Sequence, residues 1–357
     1  MSVRERSGPR RGRGATFNPA GRFERRASEA LDDGSSAAEA PSALPTVVVE
    51  QAARSIISHN DSPDLPFTQS INPYQGCEHG CVYCYARPTH AYLNLSPGID
   101  FESRLFAKTN AADLLRAELA ARSYRCQPIA LGANTDPYQP VERERRITRS
   151  VVDLLSECRH PFTITTKGAL VERDIDLIAP AAALGLARVL ISVPQLDHDL
   201  ARRLEPRAAA PARRIETIRR LAAAGVPTGV LVAPLIPFLN DHELEAVLAA
   251  ARRAGATTAA FIVLRLPHEV RALFAAWLQE HHPLKRERVF SALRDMRGGR
   301  DNDPRFGSRM TGCGPLADLL ARRFALAKRR LGFSEATREL RCDLFRPPRT
   351  DRQIDLF

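Results

Sequence analysis

The chain has 357 residues, enough for one large domain or two ordinary ones, and a hydrophobic content of 44% allows a substantial core. No apolar run reaches bilayer-spanning length, and the basic start from Met1 to Arg26 lacks the apolar stretch of a secretory signal, so a soluble cytoplasmic protein with no membrane association is expected. The net charge of +11 is compatible with nucleic acid, although only four of the 52 basic residues are lysine, and an Arg- and Ala-rich chain of this kind also arises from genome composition.

Residues 1–45 are rich in Arg, Gly, Ser, Pro and Ala and are expected to form a disordered basic segment; 46–66 read as a short entry segment. From residue 67 to 282, strand-like runs alternate with helical patterns. Ser70-Ile71-Asn72-Pro73 leads into a group of cysteines, and Ala111 to Arg122 is helical. Pro128 to Ala133 predicts a strand, Thr148 to Cys158 a helix, and the β-branched run Phe162 to Thr166 a strand. Asp174 to Leu184 predicts a helix despite Pro180, followed by a strand over Ala187 to Val193 and a helix over Pro211 to Ala224 that stops at Gly225. A strand over Val226 to Ala233, a helix over Asp241 to Ala254, a strand over Thr258 to Leu264 and a helix over Glu269 to Glu280 complete the series; Asn240 or Asp241 is placed as a helix N-cap. Regular β–α alternation predicts a parallel sheet, here a partial (β/α)6 TIM-like barrel, with catalytic groups at the C-terminal ends of its strands. Residues 283–350 form a C-terminal extension with a helix near Leu316 to Arg330, and 351–357 an exposed tail.

Seven cysteines occur. Cys126, Cys158, Cys313 and Cys342 are scattered and read as buried small apolar residues, whereas Cys77, Cys81 and Cys84 crowd into eight residues with the spacing C-x3-C-x2-C. Thiolates suit iron–sulfur clusters or zinc, and three of them on one loop leave one iron of a four-iron cubane without a protein ligand, open to an external chelator. The alternative is a zinc site completed by His79 or His90, against which stand the absence of a second C-x2-C pair and the position of His79 between two ligands.

The cysteine spacing, with Tyr83 before the third cysteine, resembles the signature of radical S-adenosylmethionine (SAM) enzymes. The segments SINPYQGCEHGCVYCYARPTHAY, NTDPYQPVE, LEPRAAAPARR and LRLPHEV resemble an uncharacterised bacterial family related to spore photoproduct lyase, over about Ser55 to Gly314. The resemblance implies a 4Fe-4S cluster on Cys77, Cys81 and Cys84, SAM bound at the open iron, and an electron donor such as flavodoxin or ferredoxin. It also implies reductive cleavage of SAM to a 5′-deoxyadenosyl radical, the cofactors carrying the chemistry. It places Lys167 at the SAM carboxylate, though a solvated loop lysine is the plain alternative, and Tyr83 near the adenine. Ser192 and Thr135 become SAM contacts, with Asn134 and Asp136 beside them; turn chemistry before Pro137 accounts for the last three equally well. Glu205 and Arg207 either line a substrate mouth or begin a solvated helix.

One departure is informative. Ala133 stands where spore photoproduct lyase carries the cysteine that returns hydrogen to the product radical, so Tyr85 and Cys126 become the candidate hydrogen-transfer residues, Tyr85 being equally suited to a core role. The chain ends Gln353-Ile354-Asp355-Leu356-Phe357, which resembles the pentapeptide that docks bacterial repair proteins on the sliding clamp; a tail folded back on its own core is the alternative. Three readings follow: a radical SAM enzyme acting on a DNA lesion or modified base, a radical SAM enzyme acting on a protein or small molecule, and a non-enzymatic metal-bearing DNA-binding scaffold.

Overall fold

The computed structural model describes residues 12–23, 44–335 and 338–348. Ten strands are present: β1 (Val47–Gln51), β2 (Ile57–His59), β3 (Gln69–Ile71), β4 (Tyr74–Gln75), β5 (Arg104–Lys108), β6 (Ile129–Leu131), β7 (Phe162–Thr166), β8 (Ala187–Ser192), β9 (Thr228–Leu235) and β10 (Thr258–Val263). The main sheet runs β10-β9-β8-β7-β6-β3-β2. Its six strands from β3 to β10 are all parallel, each beside its predecessor, and β2 closes one edge antiparallel to β3. This is the expected six-unit partial barrel.

The six strands read as β-branched, apolar runs because parallel strands are covered on both faces. Ile71, Leu131, Ile164, Val189, Val230 and Val263 are all fully buried and belong to one core cluster with the apolar faces of the helices. The helix Ile175–Ala183 tolerates Pro180 in its interior and is entered through a 3-10 turn, Ala169–Asp174. On the outer layer, Trp277 stacks on Phe274 and donates its indole N–H to the Arg203 carbonyl at 3.0 Å, satisfying the one polar group such a side chain brings inside.

Several elements were not foreseen. β1, β5 and β4 make a separate three-stranded sheet beside the barrel, and helices occupy His198–Leu204 and Arg286–Asp295. Asn240 occupies the N-cap position of the 3-10 turn Asp241–Glu243 but makes no side-chain cap bond; it is fully buried, its amide donating to the Pro194 and Pro234 carbonyls and accepting from the Ile236 N–H, so it joins the loops after β8 and β9. Asp241 supplies no side-chain cap to the helix Leu244–Arg253. Residues 12–23, expected within a disordered arm, are packed instead. Ala15 is buried, and a Cβ on Gly14 would lie 1.9 Å from the Gly80 carbonyl oxygen, so only glycine allows this approach to the cysteine loop. The Gln353–Phe357 pentapeptide lies outside the described residues. No helix among the described residues is long and apolar enough to cross a membrane.

The extension folds onto the barrel. The helix Pro315–Arg330 pairs with the helix Leu244–Arg253 through Arg323 and Glu245, and its Phe324 meets Phe261 of β10. Residues 338–348 close the N-terminal end of the strands, where Phe345 meets Tyr124 and His160 and the Arg346 N–H donates to the Cys158 carbonyl. His160 is fully buried, its Nδ1 2.9 Å from the Pro161 carbonyl and its Nε2 2.7 Å from the Tyr124 hydroxyl. Burial lowers its pKa to about 4, from an ordinary value near 6.5. The unfolded chain therefore takes up this proton below about pH 6.5 and the folded chain only near pH 4, so the contribution is complete above pH 6.5 and is lost as pH falls between the two. The loss reaches about 3 kcal/mol. Unfolding midpoints measured from pH 7.5 to 5 should fall accordingly, and His160→Gln should flatten that slope; an unchanged slope in the variant contradicts the assignment.

Candidate functional site

β3 and β4 deliver the chain into the loop Gly76–Tyr85 at the C-terminal end of the barrel. Cys77 and Cys81 are buried and Cys84 half-buried. Short backbone hydrogen bonds, Gly80 N–H to Cys77 O and Cys84 N–H to Cys81 O, fold the loop tightly, and Cys77 N–H donates to the Phe101 carbonyl.

Two buried arrangements hold this loop. On one side lies the segment after β6. Asn72 Oδ1 accepts from the Asn134 and Thr135 amides, and the Thr135 hydroxyl donates to the Tyr74 carbonyl at 2.7 Å. Asp136 accepts from Thr166 Oγ1, Lys167 N–H and Tyr138 N–H, and lies 3.3 Å from His79 Nδ1. The Gln139 side chain brackets Cys77, donating to the Gly76 carbonyl and accepting from the Glu78 amide. Glu142 accepts from the Tyr74 hydroxyl, from the Thr148 amide and from Arg173. The stretch Asn134–Glu142 is thus a scaffold that fixes the cysteine loop. On the other side is the fully buried pair Arg87–Glu102. Arg87 also donates to the carbonyls of Gly80, Cys81, Pro97 and Gly98, using the whole guanidinium fork, while Glu102 accepts from the Gly14 and Ala15 amides.

A third group stands behind Cys81. The Tyr83 hydroxyl donates to Glu205, which pairs with Arg214; all three are buried, and Arg214 also donates to the Ser192 carbonyl. Lys167, one residue past β7, enters the same space with its Nζ 5.9 Å from the Tyr83 ring centroid. Among the described residues the Lys167 ammonium has no hydrogen-bond or ion-pair partner within bonding distance, while the charges of Cys81 and Glu205 outweigh its burial and hold it protonated.

The sequence-derived candidates sort accordingly. Cys77, Cys81, Cys84, Lys167 and Tyr83 meet at one end of the barrel. Thr135 and Ser192 are buried with their hydroxyls already bonded, Ser192 to the Ala233 carbonyl at 3.0 Å; Asn134 and Asp136 serve the scaffold. Tyr83 is committed to Glu205 by its hydroxyl. Tyr85 has 47% of its surface open and donates to the carbonyl of Ala133. Cys126 is a correction. It precedes β6 and lies at the opposite end of the barrel beside Cys342, seven residues of extended chain, or about 20 Å, from Ala133, so it cannot serve this site. Nor is it fully buried, and Cys313 is exposed, contrary to the expectation for the scattered cysteines. Arg207 pairs with Glu78 and bonds Thr46, and the three line a cavity with Arg13.

The donor set fits a four-iron cluster. Burial raises the Cys77 thiol well above its ordinary range, with Asp136, Cys81 and Cys84 adding to the effect, and raises Cys81 to about 12. Such thiols ionise together only when a cationic group replaces their protons. His79 Nδ1 faces Asp136, and His90 Nε2 bonds the Arg104 carbonyl between Phe101 and Phe106 while its Nδ1 is buried without a hydrogen-bond partner among the described residues. Among the described residues no three His, Cys, Asp or Glu side chains converge as a single ion demands, whereas a cubane receives each thiolate on a separate iron.

The family model described as the radical SAM superfamily matches residues 71–251, from the end of β3 through the helix after β9. The chain belongs to the radical SAM superfamily. Uncharacterized proteins of Mycobacterium tuberculosis are 40% identical to this radical SAM protein over 221 residues, which are 61% of this chain and 65% of theirs. One from Methanocaldococcus jannaschii is 28% identical over 173 residues, 48% of this chain and 62% of its own. Among solved structures, spore photoproduct lyase complexed with dinucleoside spore photoproduct matches over 80% of both chains with a TM-score of 0.58 at 16% identity, and the fold is shared at that level. A variant of that lyase with bound AdoMet and dinucleoside spore photoproduct matches with a TM-score of 0.56. Radical SAM membership implies a 4Fe-4S cluster and SAM as cofactors of an enzyme.

The Tyr83–Glu205–Arg214 group escaped the sequence reading because Glu205 and Tyr83 are 122 residues apart, and nothing local marks Glu205 as buried. Leaving one buried charge unpaired costs about 3–5 kcal/mol. Glu205→Leu and Arg214→Leu should each destabilise by that order in urea unfolding, while the double variant should lose clearly less than their sum. Strict additivity would show that the two charges do not act as a pair.

Proposed function

We propose that this protein is a radical SAM enzyme that holds a 4Fe-4S cluster on Cys77, Cys81 and Cys84, cleaves SAM reductively and acts on a DNA lesion or modified base. The single observation that carries the cofactor reading is the unpartnered Lys167 ammonium beside a three-thiol loop. A half-buried point charge with no carboxylate within bonding distance among the described residues is suited to receive the carboxylate of an amino acid ligand. The bound cluster would supply the electron for SAM cleavage; the chain's own residues do the rest. Gln139 and Arg87 keep the loop's backbone fixed, Asp136 orients His79 and the Lys167 amide, and Glu205 with Arg214 sets the charge behind Cys81.

Tyr85 is the hydrogen-transfer candidate that remains. Its phenol is pushed up to about 12, chiefly by burial of the hydroxyl end and by Cys84, so it stays protonated and can give a hydrogen atom rather than a proton. With Ala133 in place of a cysteine, the product radical would take a hydrogen atom from this phenol, leaving a phenoxyl radical that the electron donor reduces with uptake of one proton, or the reaction would differ from that of spore photoproduct lyase. The net charge of +11 supports a polyanionic partner. A flavodoxin or ferredoxin is the proposed electron donor, and Gln353–Phe357 the proposed tether to a sliding clamp.

Anaerobically reconstituted protein should convert SAM to 5′-deoxyadenosine, faster with ultraviolet-damaged DNA than with undamaged DNA or none. Lys167→Ala should raise the KM for SAM at least tenfold, as expected for loss of a charge-assisted contact of about 1.5–3 kcal/mol. Turnover indifferent to DNA would favour a protein or small-molecule substrate, and no SAM cleavage in any arm would contradict the enzyme reading.

A further inference from the structure

The last barrel strand ends in an unbalanced positive charge. Arg265 lies two residues past the end of β10, on the same end of the barrel as the cysteine loop, with its guanidinium 5.9 Å from the Tyr85 ring centroid. It is half-buried, yet among the described residues no carboxylate lies within ion-pair distance: its contacts there are the Met310 sulfur at 3.7 Å and the Tyr85 ring, and its Nε is buried without a hydrogen-bond partner. Charges removed from water this way are ordinarily paired. The neighbours deepen the imbalance. Arg297 is 2% exposed, is spent on the carbonyls of Leu264 and Arg309, and also leaves its Nε unpartnered. Arg309 takes up Asp64 together with Ser62. Desolvation and Arg309 both work against the Arg265 charge, with only weak relief from Tyr85 and Asp64.

The same rim carries an exposed aromatic group. The Val263 amide donates to the Met310 carbonyl, fastening the loop that contains Met310 to the end of β10. Phe306 on that loop is 57% exposed, and the Arg309 guanidinium lies 4.6 Å from its ring centroid. A free guanidinium suits a phosphate, and an open ring braced by arginine suits a base face; together they match one strand of nucleic acid.

We propose that Arg265 is a phosphate subsite at the barrel mouth, that Phe306 is a stacking platform beside it, and that the pair directs a single strand of nucleic acid toward Tyr85. This inference deepens the nucleic-acid reading given above and rests on it.

The test is binding of a fluorescent single-stranded oligodeoxynucleotide by the full-length reconstituted protein, followed by anisotropy over a range of salt. Arg265→Gln should weaken binding about tenfold and lower the slope of log affinity against log salt by about 0.7. Arg265→Lys should keep the slope and recover part of the affinity. Phe306→Ala should weaken binding with the slope unchanged, and Arg219→Gln, an exposed charge on the outer helix Pro211–Ala223, should leave affinity near wild type. Replacing the strand's backbone with neutral methylphosphonates should reproduce the Arg265→Gln loss on the wild-type protein, which controls for misfolding of the variant. If a mononucleotide phosphate competes as well as the strand and Arg265→Gln abolishes that competition, the subsite stands and a free nucleotide is its source. Unchanged affinity and slope in Arg265→Gln, or equal binding of the neutral strand, overturns the proposal. Because binding is read without turnover, failure of the radical reading would appear separately, as absent SAM cleavage by the wild-type protein.

Discussion

Three thiols on one short loop, two of them buried and one half-buried, cannot lose their protons together without a compensating cation, and most of the distinctive structure at this end of the barrel follows from that constraint. Each thiol is held in the less ionisable state by burial, and Cys77 additionally by the charges of Asp136, Cys81 and Cys84. A loop that has to carry three thiolates side by side would open under their repulsion if its backbone were free. It is not free: Gln139 brackets Cys77, Arg87 gathers the carbonyls of Gly80 and Cys81, and Gly14 packs against Gly80 from outside. The scaffold is made almost wholly of buried polar groups with their hydrogen bonds satisfied, an arrangement that rigidifies rather than merely stabilises.

This explains why the second motif, Asn134–Glu142, sits where it does. Its residues look like candidate ligands because they are polar and lie past the end of β6, but most are turned to the neighbouring loop. Asn134 and Thr135 grip Asn72 and Tyr74, Asp136 links His79 to the end of β7, and Glu142 anchors Tyr74. What remains open toward the barrel mouth is a smaller set: the thiols, Lys167, Tyr85 and Arg265.

The barrel was legible because its signals are local. Phe162–Thr166 and Ala187–Ser192 are β-branched runs between helices with clear apolar faces, and the cysteine spacing is specific within eight residues. The three-stranded sheet was not legible, since β4 has two residues and β1 and β5 pair across more than fifty positions. Local composition also misled. The Arg/Gly-rich start reads as disordered, yet Gly14 and Ala15 find the Glu102 carboxylate 87 or more residues away. Asn240 reads as a helix cap, yet its side chain serves two loops. Cys126 reads as a reserve hydrogen donor, although a parallel strand separates its two ends onto opposite faces of the barrel. In each case the deciding partner is distant in sequence.

The account's central claim is that three protein thiolates leave one iron of a cubane for SAM, and Mössbauer spectroscopy of protein reconstituted anaerobically with 57Fe tests it most directly. Four irons per chain, one of which changes its isomer shift when SAM is added and does not in Lys167→Ala at the same SAM concentration, is the predicted result. Four irons that ignore SAM, or a cluster that survives replacement of Cys77, Cys81 and Cys84 together, would contradict it.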